Sequence, residues 1–281
     1  MRIVRLLVAL ILGILLFPML ALPQDLKPDE IVQKHLDSLG TKEVRESVKT
    51  LMAVGQSGFE SISPAAKGGG RGLIVSDPSD VMFALSFNSA DYPFEKIGYF
   101  GTKVDIPYVN AGSRSLLGAF LTEHSVVLTS GLFTGAMSLR WPIADSTHRV
   151  NVKLNGTAKV DGVSCYVLSF LPAKGGSSEL SIRLYFDAQT LHHVQSEYRR
   201  EIPAGFQVFG QQNQTASSTL TLTEKFSNFK TVDGLTLPYT YSATFVSNSN
   251  AASYTNTWRL AISQYVINQK LESGFFTFGT K

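Results

Sequence analysis

The chain contains a single cysteine, Cys165, among 281 residues, so no intramolecular disulfide can form and stability has to come from a packed core. Charge is equally sparse. Lys and Arg number 25 against 22 Asp and Glu, and two of the basic residues, Arg2 and Arg5, precede the first apolar run. What remains is nearly neutral, which removes the electrostatic argument for nucleic acid or for an anionic membrane surface. Beyond residue 24 no apolar run is long enough to cross a bilayer as a helix.

Recognisable chemistry is missing too. There is no HExxH, HxH or Cys/His cluster for a metal, no GxSxG for a serine hydrolase and no P-loop, although Gly68-Gly69-Gly70 sits between Lys67 and Arg71. Ser227-Asn-Phe-Lys230 matches SxxK by chance, because it falls in a strand pattern and lacks the SDN and KTG partners. Asn155-Gly-Thr157 and Asn213-Gln-Thr215 fit the glycosylation acceptor pattern, which matters only in a eukaryotic source. His192 and His193 follow Asp187 in YFDAQTLHHV. Adjacent strand residues point to opposite faces, so the two imidazoles cannot serve one metal, and the stretch reads as a turn formed by Asp187. His35 and His124 are expected to pack. No metal, cofactor or catalytic residue is expected.

What is present is mostly apolar and aromatic: 18 Phe, 10 Tyr and 2 Trp. Residues 1–24, with two arginines and an apolar stretch from Leu6 to Phe17, read as a secretory signal peptide. A soluble, periplasmic, non-lipidated mature protein follows from that, since lipid anchoring would need a cysteine at the new N-terminus. Pro28-Asp29-Glu30 starts a helix whose stripe is Ile31, Val32, Leu36 and Leu39, with Gly40 as its stop, and a short helical turn covers Lys42 to Ser47. From Val48 the period becomes that of a strand. Pro64 to Arg71 reads as a flexible turn, with strands at Arg71 to Ser76 and Val81 to Asn88 beyond it.

Ser113 to Ser130 breaks the strand pattern with a helical face of Leu116, Leu117, Phe120, Leu121, His124, Val127 and Leu128, capped by Ser113 and stopped by Gly131. The connection after it carries Leu132, Phe133, Met137, Leu139 and Trp141, and either packs on the core or lines a ligand cavity. From Val150 onward seven strand patterns alternate with turn dipeptides, Asp161-Gly162, Gly175-Gly176 and Asp233-Gly234. The fold class that follows is mainly β with helices (α+β), as a curved antiparallel sheet, with residues 25–281 forming one domain.

The order of these elements, with DEIVQKHLDSLG, GTAKVDGVSCYVLSF, LSIRLYFDAQTLHHVQSEY and FSNFKTVDGLTLPYTYSATF, resembles the LolA/LolB-like superfamily of outer-membrane lipoprotein carriers. The resemblance implies an unclosed antiparallel β-barrel, a half-barrel, covered by helices, whose apolar cavity accepts acyl chains. It implies a periplasmic carrier of lipid or lipoprotein acyl chains, acting as a monomer, with an envelope membrane complex as a further partner. A cavity between the sheet and the Ser113 helix would be lined by Leu117, Phe120, Leu121, Leu128, Phe133, Trp141, Tyr166 and Tyr185. Two alternatives stand beside it. One is a non-enzymatic envelope interaction protein with a filled core. The other is a hydrolase, which would need a polar cleft around Asp187 or His193.

Overall fold

A computed structural model describes residues 26–143, 151–171, 180–204, 217–250, 252–272 and 274–278. The signal-peptide segment and the Gly175-Gly176 turn lie outside these residues. Among the described residues twelve strands form one antiparallel sheet: β1 (Leu51–Ser61), β2 (Ala66–Ser76), β3 (Val81–Ser86), β4 (Phe94–Phe100), β5 (Lys103–Asp105), β6 (Val152–Val160), β7 (Val163–Phe170), β8 (Leu180–Asp187), β9 (His193–Ile202), β10 (Ser218–Val232), β11 (Leu235–Ser249) and β12 (Ser253–Ile267). Their spatial order is β5-β4-β3-β2-β1-β12-β11-β10-β9-β8-β7-β6. Each strand therefore pairs with its sequence neighbour, except where β1 meets β12. The two ends of the order, β5 and β6, do not pair. This is the unclosed half-barrel expected.

Four α-helices among the described residues accompany the sheet: α1 (Pro28–Leu39), α2 (Lys42–Ser47), α3 (Leu116–Glu123) and α4 (Val126–Thr129). Among the described residues no helix is long and apolar enough to cross a membrane. The topology explains why so apolar a segment lies between β5 and β6. Those strands occupy opposite edges of an open sheet, so their connection must travel from edge to edge. Its described part takes the concave face, where Leu117, Phe120, Leu121, Leu128, Leu132, Phe133, Met137 and Trp141 join the main core. Tyr166, Leu168 and Phe170 of β7 and Leu180, Ile182, Leu184 and Phe186 of β8 reach the same core from the sheet.

Two local expectations are corrected. The glycine run is not a flexible turn but the first half of β2, paired with β1 from Ala66↔Ser61 to Ser76↔Leu51. A side chain is excluded at Gly70 and crowded at Gly72, where the neighbouring strand passes close. A Cβ on Gly70 would lie 2.3 Å from the Ser86 carbonyl oxygen, and one on Gly72 would lie 2.4 Å from Leu85. The Ser113 helix is two short helices, and its cap is Ser115. Ser115 Oγ accepts the Gly118 amide at 2.8 Å and donates to buried Glu95 at 2.9 Å, a second bond that Ser113 does not make. Strands β4 and β5 add to those expected from the sequence.

The convex face has its own smaller clusters. Phe276 covers Val75 and Met82, while Val160, Cys165, Val167 and Tyr185 pack together on the other half of the sheet.

Candidate functional site

The stripe on α1 does two jobs. Ile31 and His35 point into the core and are fully buried, whereas Leu36 and Leu39 form part of a groove. The elbow after α1 rests on the β10–β11 turn. Gly40, at φ 138, comes so near the Gly234 carbonyl that a Cβ would sit 2.5 Å from its oxygen. The groove therefore lies between α1–α2, the start of β1, the start of β11 and the segment 136–141, with a volume of about 650 Å³. That falls within the span of small-molecule pockets, about 300–1,000 Å³.

Its floor is apolar: Leu36, Leu39, Leu51, Leu235 and Leu237. Its rim carries Lys42, Arg45 and Lys49 together with Asp37 and Glu46. Rim bonding is weak. Lys42 reaches Glu46 at 3.7 Å with both side chains largely exposed, a geometry that contributes little to stability. Arg45 Nε donates to the Gly40 carbonyl at 3.1 Å and braces the elbow.

Behind the floor lies an aromatic and imidazole stack. Trp141 Nε1 donates to His35 Nε2 at 3.3 Å, so His35 carries its hydrogen on Nδ1 and donates it to the Leu191 carbonyl at 2.9 Å. The Trp141 ring stacks on His193 with centroids 4.7 Å apart. Burial pushes the His35 pKa down to about 4, only partly offset by the Leu191 carbonyl, and holds His193 well below the usual histidine range, so both rings are neutral near pH 7. His193 Nε2 bonds Ser196 Oγ at 3.1 Å, and Nδ1 has no partner. Gly135 seals that nitrogen: at φ 52, a Cβ there would lie 2.9 Å from Nδ1. Gly135→Ala is expected to lower stability by about 2 kcal/mol in urea unfolding, through overpacking on an imidazole that cannot retreat.

The segment carrying Gly135 is tied down by a carboxyl. Glu224 on β10 is fully buried. Its Oε1 accepts the Thr134 amide and the Tyr241 hydroxyl, each at 2.8 Å, and its Oε2 accepts the Tyr198 hydroxyl at 2.9 Å. Burial raises its pKa to about 7 against the lowering effect of those donors. Glu95 repeats the device at the other end of the insertion. It accepts from Ser115 and Tyr92, while Trp258 Nε1 donates to Tyr92 at 2.7 Å, and burial raises the Glu95 pKa to about 7.

Of the eight residues expected to line a cavity, Trp141 is on the groove wall. Leu117, Phe120, Leu121, Leu128, Phe133 and Tyr166 are brought together in the core, where they pack against the sheet and each other. Tyr185 is not among them, since strand alternation sends it to the convex face beside Cys165 and Val167. The sequence reading missed Leu36, Leu39, Leu235 and Leu237 as lining residues. The first two were visible as the helix stripe, but nothing local could say that β11 would run beneath it.

Asp187 forms the turn expected of it, accepting the Gln189 and Thr190 amides at 2.7 and 3.0 Å. His192 stacks on Phe229 and His193 enters the core, so the two imidazoles diverge as strand geometry requires. Among the described residues no three His, Cys, Asp or Glu side chains converge as a metal site would need.

No protein-family model matches the chain, and no curated protein matches it. Solved structures similar to it include a LolA superfamily protein from Nitrosomonas europaea, at 13% identity and a TM-score of 0.44 over 90% of this chain and 98% of that one. A DUF1329 family protein from Desulfovibrio piger gives 11% identity and a TM-score of 0.44 over 89% and 97%. An outer membrane lipoprotein-sorting protein domain from Vibrio parahaemolyticus gives 13% identity and 0.42 over 88% and 97%.

Proposed function

We propose that this chain is a non-enzymatic, exported binding protein for an amphiphile with one apolar chain, such as the acyl chain of a lipid or lipoprotein, taken up in the groove under α1–α2. The observation that carries this is the groove itself: an apolar floor open beside a charged rim, in a half-barrel whose core takes in Leu117, Phe120, Leu121, Leu128, Phe133 and Trp141 of the insertion. In this reading the site lies beside the space first expected. The insertion's own leucines and phenylalanines occupy that space. Transfer of each methylene onto such a floor contributes about 0.8 kcal/mol, which has to offset the loss of freedom on binding. Lys42, Arg45 and Lys49 stand where the polar end of the amphiphile would emerge, and Asp37 and Glu46 limit the net attraction.

Displacement of a fluorescent fatty acid by saturated acids of increasing length, with native mass spectrometry of the complexes, tests this. The wild type should bind one molecule, more tightly as the chain lengthens. Leu237→Trp, which narrows the floor, should weaken binding at least tenfold while unfolding cooperatively like the wild type. A wild type that takes up no acid, or a folded Leu237→Trp that binds equally well, would sink the proposal.

A second reading has its own observation. The insertion fills the concave face with Leu117, Leu121, Phe133 and Trp141, all almost fully buried, as an interaction protein with a packed core would. A clean apo mass for protein prepared from the envelope, together with no fatty-acid uptake, favours this reading.

A further inference from the structure

Segment 132–141 supplies Ala136, Ser138, Leu139 and Trp141 to the groove wall without joining a strand ladder, and its later part is tied to β2 where the Leu139 amide donates to Ser76 Oγ at 2.9 Å. Its first residues are instead fixed to the sheet through one carboxyl. The Thr134 amide ends on Glu224 Oε1, and Tyr198 Oη lies between Glu224 Oε2 at 2.9 Å and the Leu132 carbonyl at 3.2 Å. Thr134 itself sits at φ 67, a left-handed conformation that a threonine adopts at a cost, so the bond from its amide opposes a local tendency to rearrange.

We propose that Glu224 is the positioning residue of the groove, holding its inner wall closed while the carboxyl is protonated and letting that wall loosen as the proton is lost. Burial favours the protonated form in the closed state against the pull of the three donors, and only that form leaves Tyr198 a hydrogen for the Leu132 carbonyl. With a proton on Oε2, Glu224 donates to Tyr198, Tyr198 turns its own hydrogen to the Leu132 carbonyl, and both sides of Phe133 are held. As a carboxylate, Glu224 takes the Tyr198 hydrogen for itself. The Leu132 carbonyl then loses that donor, and a full charge stands in the core. Movement of the wall would let water reach the charge.

The groups facing Glu224 give it no counter-charge. Tyr198 and Ser196 approach from β9, Tyr241 and Ala243 from β11, and Thr134 from the insertion. His193, on the same face of β9, packs against Phe226 and Trp141 as a neutral ring. Lys225, the next residue along β10, points to the other face and pairs with Asp161 at 2.7 Å. Among the described residues no cation pairs with Glu224.

The role as gate rests on the groove proposed above, but the motion of the wall does not, and amide exchange reads that motion without ligand. Exchange of the amides of residues 133–139 is followed from pH 5 to pH 7.5 and corrected for the intrinsic rate, in the full chain and in Glu224→Gln. The Gln amide group can donate to Tyr198 as the protonated acid does. Any contribution from His193 is common to both proteins, so the ratio of wild-type to variant opening isolates Glu224. That ratio should rise at least tenfold across the range, while the ratio of wild type to Glu95→Gln for the same amides stays flat. A flat ratio for Glu224→Gln overturns the proposal. So does an equal rise for Glu95→Gln, which would make the response global. If the ratio rises but fatty acid does not bind, the hinge stands and the ligand assignment falls.

Discussion

Trp141→Ala is expected to cost about 3–5 kcal/mol of folding stability, read as a shift of the urea midpoint with little change in slope. Three losses coincide. The indole is 1% exposed and fills the junction between insertion, α1 and β9, so its removal leaves a void that joins the groove floor. The ring no longer stacks on His193. His35 Nε2 loses its donor inside the core, and a buried unsatisfied acceptor costs about 1–3 kcal/mol. Trp141→Phe separates these contributions, since it keeps most of the packing but not the N–H. It should cost clearly less than the alanine variant, though more than a surface substitution. A Trp141→Ala folding free energy within about 1 kcal/mol of wild type would show that the insertion is not an integral part of the core.

Glu224→Gln should gain stability relative to wild type as pH rises, by about 3 kcal/mol between pH 4 and pH 8. The folded protein raises this carboxyl to about 7 from an ordinary value of 4.5. Its contribution is therefore fully present below about pH 4.5 and is lost as pH climbs through 7, where the folded chain has to ionise a buried group. Glutamine has no proton to lose and no such dependence. Glu95→Gln should show the same slope, because burial raises Glu95 to about 7 as well, but with a constant offset, since the Tyr92 hydroxyl would lose its acceptor. Comparing variants at each pH is essential. His35 acts in the opposite sense, its folded pKa being depressed to about 4, so the stability it contributes is present above 6.5 and lost as pH falls through 4. In the wild type alone the opposing slopes overlap between about pH 4.5 and 6.5. Chemical denaturation at pH 4, 6 and 8 gives the required differences, and a difference that does not change with pH would mean that water already reaches these carboxyls.

Much of the architecture was legible because it is written in short-range patterns. Asp161-Gly162 and Asp233-Gly234 do form the tight turns expected, each with both residues at positive φ. The stripe Ile31, Leu36 and Leu39 does give a helix that buries that face. Patterns of this kind depend on a handful of neighbours. What was not legible depends on who lies opposite. Gly68-Gly69-Gly70 carries no side chains to alternate, so its place in a strand shows only through its neighbours, as in the close approach of Ser86 to Gly70. The candidate groove is assembled from residues as far apart as Leu36 and Leu237. Glu224 reads as one polar residue in a long alternating strand, Thr-Leu-Thr-Glu-Lys-Phe, and its burial is decided by Tyr198, Tyr241 and the arriving Thr134 amide. Tyr185 failed for a simpler reason: its apolar neighbours Leu184 and Phe186 face the core, and alternation alone places it on the other side.

The pairing of β1 with β12 gives the sheet a seam. Every other junction joins strands adjacent in sequence, but this one joins Leu51 to Ile267 and Ser61 to Asn256. The molecule is in effect two meanders, β1–β5 and β6–β12, stitched along one line, and the insertion threads from one meander into the other. Loop-closure entropy makes the stitch the slowest contact to form. During synthesis β1 has to wait, unpaired on that side, until almost the whole chain has been made, and losing β12 would leave β1 and β11 as two long bare edges able to recruit other chains.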